Sequence, residues 1–249
     1  MPDRVLILIL GASSAIAAEV ARRYARAGAR LYLVARNAER LAALVEELEP
    51  AVAGHAALDL CELERAPDCV DAAITALGGL DVALLAHGYL GDQLRSEREL
   101  DETLRSFSVN LLSPVALLIP LANAMEAQGR GHIGVLTSVA GVRGRPRNFT
   151  YGAAKGGLSH YLEGLRSRLV RSGVQVHDFK LGPVDTPMTA THHKNAVFAQ
   201  PGPVAAAIVR GFAGHGGVHY VPGFWRWIML VVRNLPEFVF QRLPFLSGR

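Results

Sequence analysis

The sequence predicts an α/β protein with a doubly wound parallel sheet of seven strands, folded as a single domain with an amphipathic C-terminal tail. Apolar runs of strand length alternate with longer segments of helical spacing, which is typical of a parallel sheet with helices on both faces. The first run, residues 5–10, is continuously apolar, as expected of a strand buried on both faces. Half of the residues are apolar and only 19% are charged, which favours one large core over a disordered chain.

The same alternation predicts the order of the elements. Strands are predicted near residues 5–10, 30–35, 52–57, 80–86, 132–138, 174–180 and 218–222. Helices are predicted near residues 15–28, 37–48, 62–77, 97–127, 149–172 and 202–213. Pro114 and Pro120 fall in the fourth helix, and we expect them to bend or interrupt it because proline lacks an amide hydrogen.

Charge and cysteine content exclude several classes of protein. The net charge of +4 comes from basic residues scattered among acidic ones, without the basic stripe of a nucleic-acid-binding protein. Cys61 and Cys69 stand eight apart in a segment expected to be helical and fit no zinc or redox pattern, so we expect reduced thiols and no metal site. No signal peptide is visible before the first glycine, so the cytoplasm is the expected location.

The segment after the first strand is typical of a dinucleotide-binding fold of the Rossmann type. A strand, a tight loop and a helix start follow one another, so that loop amides and the helix dipole can receive a pyrophosphate. We predict phosphate contacts from Gly11, Ser13, Ser14, Ala15 and Ile16. Ala15 and Ala17 stand where glycines are expected, and Ala15 is expected to crowd the phosphate. The alternative is an ordinary strand-to-helix turn capped by serine.

The end of the second strand predicts which dinucleotide binds. About twenty residues after a glycine loop, a carboxylate would bind the ribose hydroxyls of NAD, whereas an arginine accommodates the 2′-phosphate of NADP. Arg36 stands there, so NADP(H) is the preferred cofactor and NAD(H) the alternative. Ser13 and Asn37 are candidate helpers. The alternative for Arg36 is a plain surface arginine at a strand end.

Three residues predict a site for proton transfer to or from a carbonyl oxygen. Tyr151 and Lys155 are four apart in the fifth predicted helix and therefore share a face. A phenol is a poor acid or base at neutral pH, and we expect the Lys155 cation to lower the pKa of Tyr151. Ser138 ends the fifth strand, where its hydroxyl can hold the substrate oxygen in the same crevice. Taken alone, this tyrosine and lysine are more often a solvated helix face.

In chain order, these features resemble the short-chain dehydrogenase/reductase family, in its single-domain branch, from Val5 to at least Met188. The resemblance implies a catalytic tetrad of Asn110, Ser138, Tyr151 and Lys155. It implies further cofactor contacts from Asp59, Leu60, Ala86, His87, Gly88, Tyr151, Lys155, Gly182, Val184 and Thr186. Ala15, Ala86, His87 and Leu181 depart from the family pattern, which bears on cofactor contacts more than on the reaction.

The resemblance also implies an activity and an assembly. Members are NAD(P)-dependent oxidoreductases that interconvert a ketone and a secondary alcohol. Tyr151 would give its proton as hydride arrives, Lys155 would bond the nicotinamide ribose, and Asn110 would position a water linking Lys155 to solvent. A homodimer or homotetramer is expected through helices 97–127 and 149–172. A non-catalytic NADP-sensing module is the alternative from another class, and the intact tetrad argues against it.

The substrate is expected to depend on the variable segments 87–100 and 186–216, the second being a lid over the site. The lid carries a polar stretch in which the adjacent His192 and His193 could bind phosphate or metal, although a solvated loop is the better interpretation. His87 could face the nicotinamide or the substrate, or could be a packing residue.

The tail, residues 224–249, is predicted to belong to the same domain as residues 1–223 or to contact a membrane or another subunit. It is densely apolar and holds both tryptophans, and Phe245 and Leu246 continue its pattern. Arg226 and Arg233 make it too interrupted to cross a bilayer, although the mixture suits a helix in a membrane interface. Pattern alone favours packing on the domain or across a subunit interface.

A narrower resemblance concerns residues 86–92, 143–155 and 222–245, which are similar to the decaprenylphosphoryl keto-pentose 2-reductases. These enzymes reduce a 2-keto sugar on a polyprenyl-phosphate carrier, and they also lack the middle glycine of the cofactor loop. The resemblance implies a lipid-linked keto sugar as substrate, with peripheral membrane contact through residues 224–246. The alternative is a soluble carbonyl or 3-oxoacyl reductase whose tail only packs at a subunit interface.

Overall fold

The computed structural model describes residues 4–190, 194 and 197–243, and it confirms the predicted fold class. The strands of its parallel sheet are β1 Leu6–Leu10, β2 Arg30–Ala35, β3 Val52–Ala57, β4 Val82–Leu85, β5 Gly131–Ser138, β6 Val174–Leu181 and β7 Gly217–Val221. Their order across the sheet is β3-β2-β1-β4-β5-β6-β7. The order reverses between β1 and β4, and a crevice forms beyond the carboxyl ends of the strands at such a point.

The helices follow the predicted order closely. They are α1 Ala15–Arg26, α2 Ala38–Leu48, α3 Ala66–Leu77, α4 Gln93–Ser96, α5 Leu100–Phe107, α6 Ser113–Gln128, α7 Phe149–Leu169, α8 Pro201–Phe212, α9 Trp225–Asn234 and α10 Glu237–Phe240. Short 3₁₀ turns occupy Leu63–Arg65, Val139–Gly141, Val170–Ser172 and Pro187–Thr189. Cys61 lies before α3, not inside a helix as predicted, because the chain is still turning away from β3 there.

The interruption predicted for the fourth helix is a π-helical turn, Ser108–Leu112, between α5 and α6. An α-helix would require Pro114 to donate to the carbonyl of Asn110, which proline cannot do, so the helix widens at this turn. Pro120 lies inside α6 without ending it. The π turn therefore carries Asn110, where widened turns often serve a site.

Each face of the sheet has its own apolar core. Helices α3, α6 and α7 cover one face, and α1, α2 and α8 cover the other. By length and composition alone the helical run Leu100–Gln128 could cross a membrane. Leu118 and Leu121 on that run are fully buried in the first core, so this run has the composition of a core helix.

The described part of the tail packs on the domain through a third, smaller core. Trp225, Met229 and Val232 of α9 meet Val139 and Phe240 there. The opposite face of the tail is exposed. The predicted positions His192, His193, Phe245 and Leu246 lie outside the described residues.

Candidate active site

The site-bearing residues gather around two neighbouring cavities at the carboxyl edge of the sheet. The β1 cavity, about 710 Å³, lies over the ends of β1 to β4 and borders Gly11 and Lys155. The α9 cavity, about 750 Å³, lies over the ends of β5 and β6 and borders Ser138 and Trp225. Tyr151 lines both cavities. Tyr151 therefore lies at the boundary between the two cavities.

Nearly all of the predicted cofactor contacts line the β1 cavity. They are Gly11, Ser13, Ser14, Ala15, Ile16, Arg36, Asn37, Asp59, Leu60, Ala86, His87, Gly88, Tyr151, Lys155 and Thr186. Gly182 and Val184 line the α9 cavity instead. Arg40 and Arg105 also border the β1 cavity, although the sequence did not single them out.

The glycine at the end of β1 is required by a close crossing of the backbone. Gly11 has φ of +85°, and a Cβ there would lie 2.6 Å from the backbone nitrogen of His87. Ser14 caps α1 by accepting a hydrogen bond from Ala17 N at 3.2 Å. Ala15 begins the helix at the cavity wall, so the predicted crowding amounts to one methyl group. This glycine crossing and capped helix start fit a dinucleotide.

The rim beyond β2 carries two cations and one carboxylate. Arg36 is exposed and lies 3.6 Å from Asp59, an ion pair weak enough to exchange for a ligand. Asp59 accepts a hydrogen bond from Cys61 N at 3.0 Å, which with Arg36 lowers the pKa of its carboxyl. Asn37 caps α2 by accepting from Arg40 N at 2.8 Å. The rim is therefore charged and preorganised.

His87 is neutral, and its tautomer follows from its neighbours. Ser113 donates its hydroxyl proton to Leu60 O at 2.6 Å, so His87 Nε2, 2.9 Å from Ser113 Oγ, must donate to that oxygen. His87 Nδ1 is then a buried acceptor, and it has no partner within the described chain. Burial, and then repulsion from Lys155, lowers the pKa of His87 to about 3.

Tyr151 is a protonated phenol at neutral pH. Burial raises the pKa of Tyr151 to about 12, against the lowering effect of a hydrogen bond from Ser138. The expectation that Lys155 brings this pKa below its ordinary value is therefore wrong here, because burial is the larger effect. Ser138 also accepts a hydrogen bond from Ala140 N at 3.1 Å, which fixes its hydroxyl at the end of β5.

Lys155 is buried with its ammonium directed to the end of β5. Its Nζ donates to Leu136 O at 3.0 Å. Burial lowers the pKa of Lys155 to about 8, and the charge of Asp178 opposes that shift. Asp178 is itself buried, forms an ion pair with Lys180 at 2.9 Å and accepts a hydrogen bond from Thr137. Sequence reasoning missed this carboxylate because a lone acid inside an apolar strand has no motif.

Asn110 acts on the backbone of the loop after β4. Its Oδ1 accepts from Tyr89 N at 3.0 Å, and its Nδ2 donates to Tyr89 O at 2.6 Å. A Cβ on Gly88 would lie 3.2 Å from Asn110 Oδ1 and 3.7 Å from Lys155 Nζ, so both groups border that glycine. Asn110 thus ties the π turn to the wall beside Lys155.

The α9 cavity is lined largely by residues that the sequence did not single out as site residues. Arg145, Arg147 and Asn148, from the loop before α7, face Trp225 of α9 across the substrate side. Arg145 and Trp225 are 80 residues apart in the sequence, so no local motif predicts that they line the same cavity.

The described part of the lid is held by local hydrogen bonds. Thr189 Oγ1 donates to Val184 O at 2.6 Å and accepts from Thr186 N at 3.2 Å. Lys194 forms an ion pair with Asp185 at 2.6 Å. Across residues 4–190, 194 and 197–243, no group of three or more His, Cys, Asp or Glu residues could hold a metal ion.

Comparison with solved structures shows where this fold has been seen. A variant of the actinorhodin polyketide ketoreductase with NADPH aligns with a TM-score of 0.79 at 23% identity, over 89% of this chain and 97% of that chain. A 7α-hydroxysteroid dehydrogenase, complexed with NADH and 7-oxo glycochenodeoxycholic acid, aligns with a TM-score of 0.80 at 22% identity, over 89% of this chain and 94% of that chain. At this identity the likeness shows the fold alone.

Sequence comparison shows the family. Residues 5–196 match the short chain dehydrogenase family. An uncharacterized oxidoreductase of Mycobacterium tuberculosis is 36% identical over 241 residues, covering 96% of each chain. Another uncharacterized oxidoreductase, from Streptomyces coelicolor, is 36% identical over 246 residues, covering 97% of this chain and 96% of its own. The chain belongs to the short-chain dehydrogenase/reductase family of NAD(P)-dependent oxidoreductases.

Proposed function

We propose that the protein interconverts a ketone and a secondary alcohol, with NADP(H) in the β1 cavity and the substrate in the α9 cavity. The observation that carries the proposal is the position of Tyr151 between the cavities, with Ser138 on one side and Lys155 on the other. Bound NADP(H) would supply hydride for reduction and accept it in the reverse direction. A substrate oxygen beside Tyr151 could then exchange its proton with the phenol.

The residues of the β1 cavity would hold the cofactor by charge and by hydrogen bonds. Gly11 and the capped start of α1 suit the pyrophosphate. Arg36 and Arg40 suit the 2′-phosphate, which favours NADP(H) over NAD(H). His87 Nδ1, as an acceptor without a partner in the described chain, suits a hydroxyl or amide of the cofactor.

The proton would come from Tyr151 in the reducing direction. A phenol with a pKa of about 12 is protonated at neutral pH and can give its proton to the developing alkoxide. Ser138 would hydrogen-bond the same oxygen. Lys155, charged below about pH 8, would stabilise the phenolate that remains. Asn110 would fix Tyr89 and the wall next to Lys155, beside the water-positioning role that the family resemblance implies.

A Tyr151→Phe variant tests this proposal. We expect NADPH oxidation with a ketone to fall by about 10²- to 10⁴-fold, because a positioned acid contributes that much. NADPH binding, followed by its fluorescence, should stay close to that of the unmodified protein. Turnover equal to that of the unmodified protein would exclude Tyr151 as the acid, whereas absence of turnover in the unmodified protein with every ketone would favour the cofactor-sensing alternative.

We propose a lipid-linked keto sugar, on a polyprenyl-phosphate carrier, as the substrate class. Support comes from α9, whose inner face lines the α9 cavity through Trp225 and whose outer face is apolar and basic. The exposed apolar side chains there are Phe224, Trp227, Leu230, Val231 and Phe238. Arg226 and Arg233 stand among them, which suits an anionic membrane surface.

Sedimentation with vesicles tests the membrane contact. We expect the protein to sediment with anionic phosphatidylglycerol vesicles and not with neutral phosphatidylcholine vesicles, and less after Trp227→Gln and Leu230→Gln together. A matched control changes Leu94 and Leu100, which are as exposed but belong to α4 and α5 and not to the tail. Absence of sedimentation with anionic vesicles would favour the soluble carbonyl or 3-oxoacyl reductase, whereas equal sedimentation of all variants would exclude the tail as the membrane contact.

A homodimer or homotetramer in the cytoplasm, bound peripherally at the membrane, completes the proposal. Support for the assembly comes from large apolar side chains exposed on the helical run Leu100–Gln128 and around α7. They are Leu104, Leu112, Ile119, Phe149 and Val170. Analytical ultracentrifugation would give the subunit count.

A further inference from the structure

The α9 cavity is bordered by three residues with buried polar atoms that have no hydrogen-bond partner among the described residues. They are Arg145 Nε, Asn148 Oδ1 and Trp225 Nε1. Two of these atoms are N–H donors, and both belong to side chains that are more than nine-tenths buried. Buried polar groups are nearly always hydrogen-bonded in native proteins. The two N–H donors at one cavity therefore indicate a ligand group that accepts hydrogen bonds, whereas Asn148 Oδ1 calls for a donor such as a substrate hydroxyl.

Arg145 is also a cation without a counter-ion. Its Nη2 makes only a weak contact with Met229 Sδ at 3.5 Å. Within residues 4–190, 194 and 197–243, no carboxylate forms an ion pair with Arg145 or Arg147. Burial, and then the nearby charge of Arg147, lowers the pKa of the Arg145 guanidinium. A buried, unpaired charge destabilises a fold, so its presence beside a cavity needs a functional reason.

The acidic residues of the same cavity are already engaged elsewhere. Glu102 accepts hydrogen bonds from Tyr89 Oη at 2.7 Å and from Asp92 N at 3.0 Å. Asp92 caps α4 by accepting from Arg95 N at 3.1 Å. Neither carboxylate neutralises the two arginines. The arginine side of the cavity is therefore left positive.

We propose that Arg145, Arg147 and Trp225 form a subsite for an anionic oxygen group of the substrate, a phosphate or a carboxylate. This subsite deepens the proposed function and rests on it, since it would seat the carrier phosphate of a lipid-linked keto sugar while the ketone reaches Tyr151. Arg145 supplies charge and an N–H group, and Trp225 supplies a second N–H group from α9. The indole nitrogen of Trp225 packs against Gly182, where a Cβ would collide with it, so only glycine at position 182 leaves room for this tryptophan.

A dead-end complex measures the subsite without catalysis. The chain has two tryptophans, so Trp227→Phe leaves Trp225 as the reporter. With NADP⁺ saturating, a ketone binds without reacting, and the quenching of Trp225 fluorescence reports its affinity. The probes are dihydroxyacetone, dihydroxyacetone phosphate and hydroxypyruvate. We expect dihydroxyacetone phosphate or hydroxypyruvate to bind more tightly than dihydroxyacetone, and the stronger of the two identifies the anion.

Arg145→Met then tests the assigned residue. We expect the anionic probe to bind about 10- to 100-fold more weakly, since a charge-assisted hydrogen bond is lost, and dihydroxyacetone to change by less than about twofold. The melting temperature of the free protein should rise, because a buried unpaired charge is removed. Arg98→Met, at an exposed arginine, should change neither quantity.

Two results would overturn the subsite. One is equal binding of neutral and anionic ketones by the unmodified protein. The other is a lower melting temperature in Arg145→Met with unchanged affinity for the anionic probe, as a purely structural arginine would give. Failure of the proposed reductase function would give a different result. Anionic probes would still bind through Arg145, but NADPH would not be oxidised with any ketone.

Discussion

The two cavities of this protein share Tyr151 but differ in the buried polar groups that they leave without a partner. At the β1 cavity, Arg36 is paired with Asp59, and Asn37 and Ser14 cap helices. At the α9 cavity, the N–H groups of Arg145 and Trp225 have no partner among the described residues. The β1 cavity therefore leaves one buried acceptor, His87 Nδ1, to its ligand, while its rim is already engaged within the chain. The α9 cavity depends on its ligand for completion, as suits a particular substrate.

After the loss expected for Tyr151→Phe, the largest effect expected at the junction of the cavities is that of Lys155. Lys155→Met should lower the turnover number for ketone reduction by about 100- to 1000-fold, because the charge that stabilises the phenolate is removed. In the unmodified protein the rate should fall as pH rises through about 8, since burial lowers the pKa of Lys155 to that value and the cation is lost above it. Steady-state kinetics between pH 6 and 10 measure both effects.

Lys180 offers the matched control for Lys155. It is also a buried lysine, but it is paired with Asp178 and donates to Ser159 Oγ at 2.6 Å. Lys180→Met should therefore lower the melting temperature while leaving most of the turnover. A similar loss of turnover in both variants, with NADPH binding retained, would show that the loss comes from removing a buried lysine and not from removing the charge beside Tyr151.

The contrast between the cavities also explains what the sequence could predict. The strands, the helices and the β1 cavity follow from short-range patterns, since Gly11, Arg36 and the spacing from Ser138 to Lys155 are each readable within one loop or helix. The α9 cavity joins Arg145 to Trp225 through tertiary packing of the tail, which no local pattern encodes. The pKa of Tyr151 was predicted in the wrong direction for the same reason, because burial is a property of the fold.

A smaller effect should distinguish the cofactor role of the β1 cavity from the substrate role of the α9 cavity. Arg36→Asp should weaken NADPH binding by about 10- to 100-fold and NADH binding by much less, because the charge that reads the 2′-phosphate is reversed. It should leave the preference among ketone substrates unchanged. Titration of cofactor fluorescence measures the first quantity, and the ratio of kcat/KM values for two ketones measures the second.

Combining Arg36→Asp with Arg145→Met sharpens the comparison. Sites that share no partner have additive effects on free energy. The double variant should therefore show the cofactor defect of one substitution and the substrate defect of the other. A strong departure from additivity would mean that the cavities behave as one site. Equal loss of NADPH and NADH in Arg36→Asp would show that Arg36 does not read the 2′-phosphate.

The smallest effect concerns the strands that support the α9 cavity. On β5, β6 and β7, His132, His177 and His219 form a hydrogen-bonded row, with 3.0 Å from His132 Nδ1 to His177 Nε2 and 3.0 Å from His177 Nδ1 to His219 Nε2. Burial is the largest cause that lowers the pKa of His177, to about 3. Below about pH 6.5 the unfolded chain therefore binds a proton that the folded chain does not, and stability falls as pH falls from 6.5 towards 3.

This row predicts that acid loosens the half of the sheet under the α9 cavity before the half under the β1 cavity. At pH 5 relative to pH 7, His177 should lower the free energy of unfolding by about 2 kcal/mol. Hydrogen exchange corrected for its intrinsic pH dependence should show β5 to β7 losing protection before β1 to β3. His177→Phe, which keeps an aromatic ring but cannot titrate, should reduce this difference. Equal loss of hydrogen-exchange protection in all strands would mean that the two halves of the sheet open together, even though the cavities above them act independently.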